Sequence, residues 1–186
     1  MNNALLTSLW DNPKSRLGLI LLLSMFGIAL IGPFFTFAPL EYIGLPLEPP
    51  SAQHWLGTTG QGQSVMAQTI HGALPTLLVG FTTGALVILL GSMIGGLAGY
   101  FSGRVDDLLS LLINVFLLLP GLPLMVVIAA WLPPGPVTLV IVLSLTGWAW
   151  NARVIRAQVS TFREREFVLA ARLAGQSHLS ILFSEI

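Results

Sequence analysis

The run from Leu17 to Leu40 holds 24 residues without a charge. About 20 such residues carry an α-helix through a bilayer core about 30 Å thick, because each adds 1.5 Å of rise. A secretory signal has an apolar core of only about 7–15 residues ahead of a small-residue cleavage site, so this run reads as an uncleaved first span. Three more apolar runs follow: Leu74 to Phe101, Leu108 to Leu132, and Val137 to Trp150. To cross, the last must continue through Asn151 to Ile155, with Arg153 snorkelling at its end. Composition agrees, since 54% hydrophobic and 9% charged residues with a mean hydropathy of +0.84 exclude an ordinary soluble domain. At 186 residues the chain has room for four or five spans but not for several spans and a folded soluble domain besides.

The expected organisation is one transmembrane domain of all-α class. It has an amino-terminal segment at 1–16, a first span at 17–40, an outer loop at 41–73 and a second span at 74–101. A turn at 102–107, a third span at 108–132, a turn at 133–136, a fourth span at 137–155 and a closing segment at 156–186 complete it. With the amino terminus in the cytoplasm, all eight basic residues (Lys14, Arg16, Arg104, Arg153, Arg156, Arg163, Arg165 and Arg172) fall on the cytoplasmic side. The two outer connections then contain no Lys or Arg, which is the pattern of the positive-inside rule. A multi-pass protein of the plasma membrane results, with lipid as its first partner. A formal net charge of zero and the lack of a polybasic tail give no sign of a nucleic-acid partner.

The spans carry their own signals. Gly80 and Gly84 are four apart, as are Gly91, Gly95 and Gly99. This small-xxx-small spacing lets helix backbones approach closely where lipid offers no hydrophobic drive. "LPGLP", Leu119 to Pro123, breaks the third span, because proline removes a donor and clashes with the preceding turn. Polar residues inside spans (Ser92, Ser110, Asn114, Ser144 and Thr146, with Thr76, Thr82 and Thr83 nearer one end) are expected to hydrogen-bond between helices. Asn114 is singled out as a possible contact on a translocation path.

Several chemistries have no support. No Asp, Glu, Lys or Arg lies in the interior of a span, away from its ends, which argues against an ion-coupled carrier or channel subunit needing an ionisable group at mid-depth. The one lysine, Lys14, has no Gly-rich phosphate loop around it, so nucleotide energy would come from another chain. His54 and His71 stand without an acidic neighbour in sequence, and cysteine is absent, so neither a metal nor another cofactor is expected. "GQS", Gly62 to Ser64, lacks the strand–turn–helix setting of a serine nucleophile, which makes a membrane-anchored protease the weaker alternative.

From Phe162 onward the pattern becomes amphipathic. Phe167, Ala170, Ala171 and Ala174 fall at i, i+3, i+4 and i+7, a stripe of mostly small residues suited to close approach by a partner. Gly175 is expected to end that helix in a left-handed cap and Ser177 to cap a second one, in which Leu179, Leu182, Phe183 and Ile186 repeat the spacing.

Glu166, Ala170, Ala171 and Gly175 resemble the peptide-importer form of the "EAA" loop of ABC-importer permeases, with Ile186 where an isoleucine precedes Leu-Pro. "HWLGTTGQGQSVMAQTIHGA", His54 to Ala73, resembles the outer-loop signature of the C-type permeases of dipeptide, oligopeptide and nickel importers. His54, Leu56, Gly57, Thr58, Gly62, Val65, Ile70, Gly72 and Ala73 fit it, whereas Thr59, Gln63, Ser64, Gln68 and Leu74 stand where that pattern has Asp, Arg, Asp, Arg and Arg. "AGYFSGRVDDLL" is similar to the family's turn after the second span, and "LPGLPLMVVIA" to its broken third.

The resemblance implies a type I ABC-importer permease (MetI-like) fold and a non-enzymatic subunit of a bacterial or archaeal inner-membrane importer. It also implies a second permease subunit, two cytoplasmic ATPase subunits and an extracytoplasmic binding protein as partners. Glu166, Ala170, Ala171 and Gly175 would be the ATPase-coupling residues. Permeases of the family have six spans, so the chain is expected to break off within the EAA loop after the fourth.

Overall fold

The computed structural model describes residues 12–185. Residues 1–11 of the expected amino-terminal segment, and Ile186 with its place in the loop motif, lie outside them. Two compact units divide the chain, Met1–Leu78 and Val79–Ile186. One long helix passes from the first into the second.

The first unit opens with α1, Pro13–Ile31. Asn12 starts it, its side-chain oxygen accepting from the Lys14 N–H at 3.0 Å, while Pro13 sits where no N–H is needed. A 3₁₀ turn, Gly32–Phe35, continues it. The loop that follows is folded around Thr58, a buried residue whose hydroxyl donates to Leu45 O at 2.6 Å and accepts from Glu48 N at 2.9 Å. Isolated bridges join Tyr42 to Gln63 and Thr58 to Ser64. Gly57 and Gly62 take φ of +71° and +73°, and a Cβ on either would meet a backbone carbonyl, of Glu48 and of Gly44 respectively. Glycine is required at both on two separate grounds.

Two of the neutral positions noted above keep turn-forming jobs. Thr59 Oγ1 accepts from the N–H groups of Gln61 and Gln63, both at 3.2 Å, and Ser64 Oγ accepts from Ala67 N at 3.1 Å. A serine in that position starts a helix. Accordingly α2 runs Val65–Tyr100, beginning nine residues before the expected span and passing through Pro75 without a break. The turn formers of this stretch end at Ser64, not at Ala73.

The second unit adds α3 (Arg104–Leu118), α4 (Gly121–Ala130), α5 (Pro136–Phe162), α6 (Glu166–Leu173) and α7 (His178–Ser184). The proline break is far sharper than a kink. α3 and α4 meet at 88° across Leu119 and Pro120. Among the described residues three helices are long and apolar enough to cross a membrane, or four if the bent pair counts as one. α5 is a single helix that extends seven residues beyond the expected end of the fourth span at Ile155.

α2 and α5 pack backbone to backbone. A Cβ on Gly91 would lie 2.8 Å from Asn151 Cβ, one on Gly95 would strike the backbone of Ala152, and one on Gly99 would lie 2.6 Å from Arg156 O. The ladder of three glycines is therefore the seam that the spacing predicts. Gly80 and Gly84 differ, with no atom of the chain within 4 Å of a Cβ at either. Beside this seam, Trp148, Ala149 and Ala152 of α5 pack with Ile113 of α3, Leu90 and Ile94 of α2 join them, and Phe116 meets Trp148 edge to face at 5.1 Å.

The span hydroxyls behave otherwise than expected. Thr76 and Thr146 donate to the carbonyls of Gly72 and Val142 in their own helices, and Ser110 donates to Asp106 one turn earlier in α3. A short side chain on a helix reaches its own preceding turn more easily than a neighbour. Asn114 is the one that bonds across helices, its Oδ1 accepting from Arg153 Nη2 at 2.9 Å.

Candidate functional site: the closing helical hairpin

The motif residues sit on a tight hairpin of two short helices. α6 ends where Gly175 adopts φ +79°; its N–H donates to Arg172 O at 3.0 Å and the Gln176 N–H donates to Ala171 O at 3.1 Å. This pair of bonds is a Schellman closure, and it needs a residue without a Cβ penalty in the left-handed region. Ser177 then starts α7, its hydroxyl accepting from Ser180 N at 3.2 Å. Both caps stand where the sequence places them.

The face that α6 buries lies beside the stripe expected to meet a partner and shares only Ala171 with it. Val168 and Ala171 point inward, joining Tyr100, Val159 and Ile181 in a cluster to which Phe101, Ile155 and Leu182 add partly buried contacts. Phe167, Ala170 and Ala174 remain exposed. Val168 lies off a stripe drawn through Phe167, Ala170 and Ala174, but it pairs with Ala171 at i+3 and faces Ile181 across the bend. Full burial of Val168 and Ile181 stabilises the docked hairpin by about 1.5–3 kcal/mol each, more than the small side chains of that stripe would supply. Ala171 is thus the one motif residue that faces its own chain. Glu166, Ala170 and Gly175 face away from it.

Tyr100, the last residue of α2 and 3% exposed, anchors the hairpin. Its hydroxyl lies 2.9 Å from His178 Nδ1, and the Arg172 guanidinium stands 5.2 Å over its ring. An arginine so placed is held by the ring's negative face. Phe101 packs edge-on to both Tyr100 and His178. Arg163 adds a further tie, Nη1 donating to Gly99 O at 3.3 Å. The hairpin is therefore fastened to the ends of α2 and α5, with its outer face left free for another surface. That face combines Glu166 and Ala170 with Leu173, 91% exposed.

The other sequence candidates lie elsewhere. Asn114 is on the exposed side of α3, bonded to Arg153, so the residue marked as a path contact and an arginine thought to snorkel form one polar point between α3 and α5. Ser64 has its hydroxyl engaged as the helix cap, and His54 Nε2 lies 3.4 Å from Glu48 in the outer loop. An ion pair between Asp106 and Arg156, joining α3 to α5, was not among the candidates at all. Its trace in the sequence is the i, i+4, i+8 spacing of Asp106, Ser110 and Asn114 opposite the i, i+3 spacing of Arg153 and Arg156.

Residues 88–186, which include the glycine seam, the broken helix and the hairpin, match the family described as binding-protein-dependent transport system inner membrane component. The dipeptide transport system permease protein DppC of Bacillus subtilis is 35% identical over 92% of this chain and 54% of its own length. The oligopeptide transport system permease protein OppC of the same organism is 29% identical over 95% of this chain and 58% of its own length. The nickel transport system permease protein NikC of Escherichia coli K12 is 34% identical over 99% of this chain and 66% of its own length. The chain thus spans between about half and two thirds of these relatives. With its helical membrane architecture and its docked hairpin, the chain belongs to the binding-protein-dependent inner membrane components, the permeases of ABC importers, in the group that holds DppC, OppC and NikC.

Proposed function

We propose that the chain is a permease subunit of an ATP-driven importer for peptides or a related small solute such as nickel, and that the α6–α7 hairpin couples it to an ATPase. The observation that carries this reading is the hairpin's division of labour. One face is locked to α2 and α5 through Val168, Ala171, Ile181 and Tyr100, while the other presents Glu166, Ala170 and the Gly175 bend outward. A locked inner face and an exposed outer face, with Ala170 and the Gly175 bend allowing close approach, suit an element that is pushed by a partner and moves what it is fastened to.

The roles follow from these positions. Ala170 and Gly175 allow a partner groove to approach the backbone closely. Glu166, in the first turn of α6, favours the positive end of that helix and is free to pair with a partner group. Ala171 keeps the hairpin seated. A second permease subunit would complete the path, with Asn114 as a contact along it, and an extracytoplasmic binding protein would deliver solute to the outer loop. Two cytoplasmic ATPases would supply the energy, so that no bond is broken on this chain. On the order of spans expected from the sequence all eight basic residues fall on one side, which supports a cytoplasmic amino terminus and a place in the bacterial or archaeal inner membrane.

Ala170→Glu and Gly175→Asp place a carboxylate on the outer face, and both are expected to abolish co-purification of the ATPase subunits while membrane insertion is unchanged. Wild-type levels of ATPase on either variant would sink the coupling role. Uptake in liposomes that follows a proton or sodium gradient without the ATPases would replace the reading with a coupled carrier.

A further inference from the structure

Asp106 and Arg156 belong to no motif, yet they form a more complete polar contact than any other between two helices among the described residues. Asp106 Oδ1 accepts from Arg156 Nε at 2.6 Å and Oδ2 from Nη2 at 2.9 Å, while Ser110 Oγ donates to Oδ1 at 2.8 Å. A two-point fork of this kind fixes direction as well as distance. The side chains are 24% and 39% exposed, for Asp106 and Arg156, so the pair is neither buried deeply enough to be costly nor positioned to add much stability. Packing between α3 and α5 is already supplied by Ile113, Trp148, Ala149 and Ala152. What the fork adds is register.

Its place in the fold gives that register a use. Arg156 lies six residues before the end of α5, from which the hairpin departs, and its carbonyl rests against Gly99 of α2. Asp106 lies in the first turn of α3, and the far end of α3 is the 88° junction with α4. The hairpin is joined by chain to α5 and fastened by side chains to α2. α3 begins three residues after Phe101, and along its length it packs against α5. Two polar ties fasten it to α5 there: the Asp106–Arg156 fork and, two turns further along α3, the single Arg153–Asn114 bond.

We infer that the Asp106–Arg156 pair is a positioning strut that transmits displacement of the hairpin into α3, and through it to α4, during transport. This rests on the proposed coupling role of the hairpin. The pair touches no solute and acts only by keeping α3 in step with α5.

The test uses the complete importer, assembled with its partner subunits in liposomes, with ATP hydrolysis and solute uptake measured on the same preparation. Asp106→Asn removes the charge, Arg156→Lys keeps the charge but loses the fork, and Asp106→Arg with Arg156→Asp exchanges the partners. Both single variants are expected to assemble and hydrolyse ATP at near wild-type rates while solute moved per ATP falls about tenfold, the scale of one charge-assisted hydrogen bond. The exchange variant should recover most of that ratio, since interaction between contacting residues is what such a cycle isolates. An unchanged ratio in the single variants overturns the strut. So does a parallel loss of assembled complex, hydrolysis and uptake, which is the mark of a purely structural contact. Absence of ATP-dependent uptake by the wild-type assembly would instead refute the importer reading, and the strut with it.

Discussion

Adjacent glycines in α2 offer a sharp test of how the membrane unit is held together. A Cβ on Gly95 would lie 2.9 Å from Ala152 Cα and 3.0 Å from Ala152 C, about half an ångström inside ordinary contact, and the obstruction is backbone that cannot rotate away. A Cβ on Gly96 meets only Leu182 Cδ1 at 3.9 Å, the far end of a flexible side chain. Replacing either glycine by alanine gains about 1 kcal/mol of helix propensity. Only Gly95→Ala also forces α2 and α5 apart, a form of overpacking that costs about 1–3 kcal/mol. Because the propensity gain is common to both, the difference between the two variants isolates the steric cost. Gly95→Ala should unfold more easily than Gly96→Ala by about 1–3 kcal/mol, or about 5- to 150-fold in equilibrium constant. Transfer from a mild detergent into dodecyl sulfate, followed by helical circular dichroism, measures it. Coincident unfolding curves for the two variants would refute the backbone seam.

Gly175→Ala keeps the hairpin's apolar face but places a side chain at φ +79°, and should loosen the bend by about 1–2 kcal/mol, read as faster proteolysis between α6 and α7. Tyr100→Phe retains the ring beneath Arg172 and loses the contact with His178, for a cost of about 1 kcal/mol; Tyr100→Ala should release the hairpin altogether, and hydrogen exchange in α7 distinguishes the two. Thr58→Val deprives Leu45 O and Glu48 N of their shared partner in a part-buried site, and about 2–4 kcal/mol of lost loop stability should appear as protease cutting between residues 45 and 60.

Much of the local structure was legible because it is written in single residues or short spacings. Gly175 and Ser177 each specify a cap by their own chemistry, Gly91, Gly95 and Gly99 specify a seam by recurring every fourth position, and "LPGLP" specifies a break. Legibility failed where the answer depends on a second element. Ala170 and Ala171 are identical residues one step apart, and which of them turns inward is decided by Ile181 and Tyr100, not by the helix that carries them. Asp106 and Arg156 are 50 residues apart, and each looks like an ordinary residue at a helix end until α3 and α5 are set side by side. The start of α2 was hidden differently: Ser64 sits in a stretch rich in Gly and Gln that reads as loop, and only its capping bond marks the turn to helix.

The seam between α2 and α5 has a mechanical consequence. Where side chains interdigitate, two helices can slip by exchanging rotamers; where glycine backbone lies on backbone, there is nothing to exchange, and the joint either holds or parts. The pair therefore behaves as a single shaft. The right-angled elbow at Leu119 and Pro120, where proline interrupts the ladder of backbone bonds, then turns any movement of that shaft into a new direction in α4.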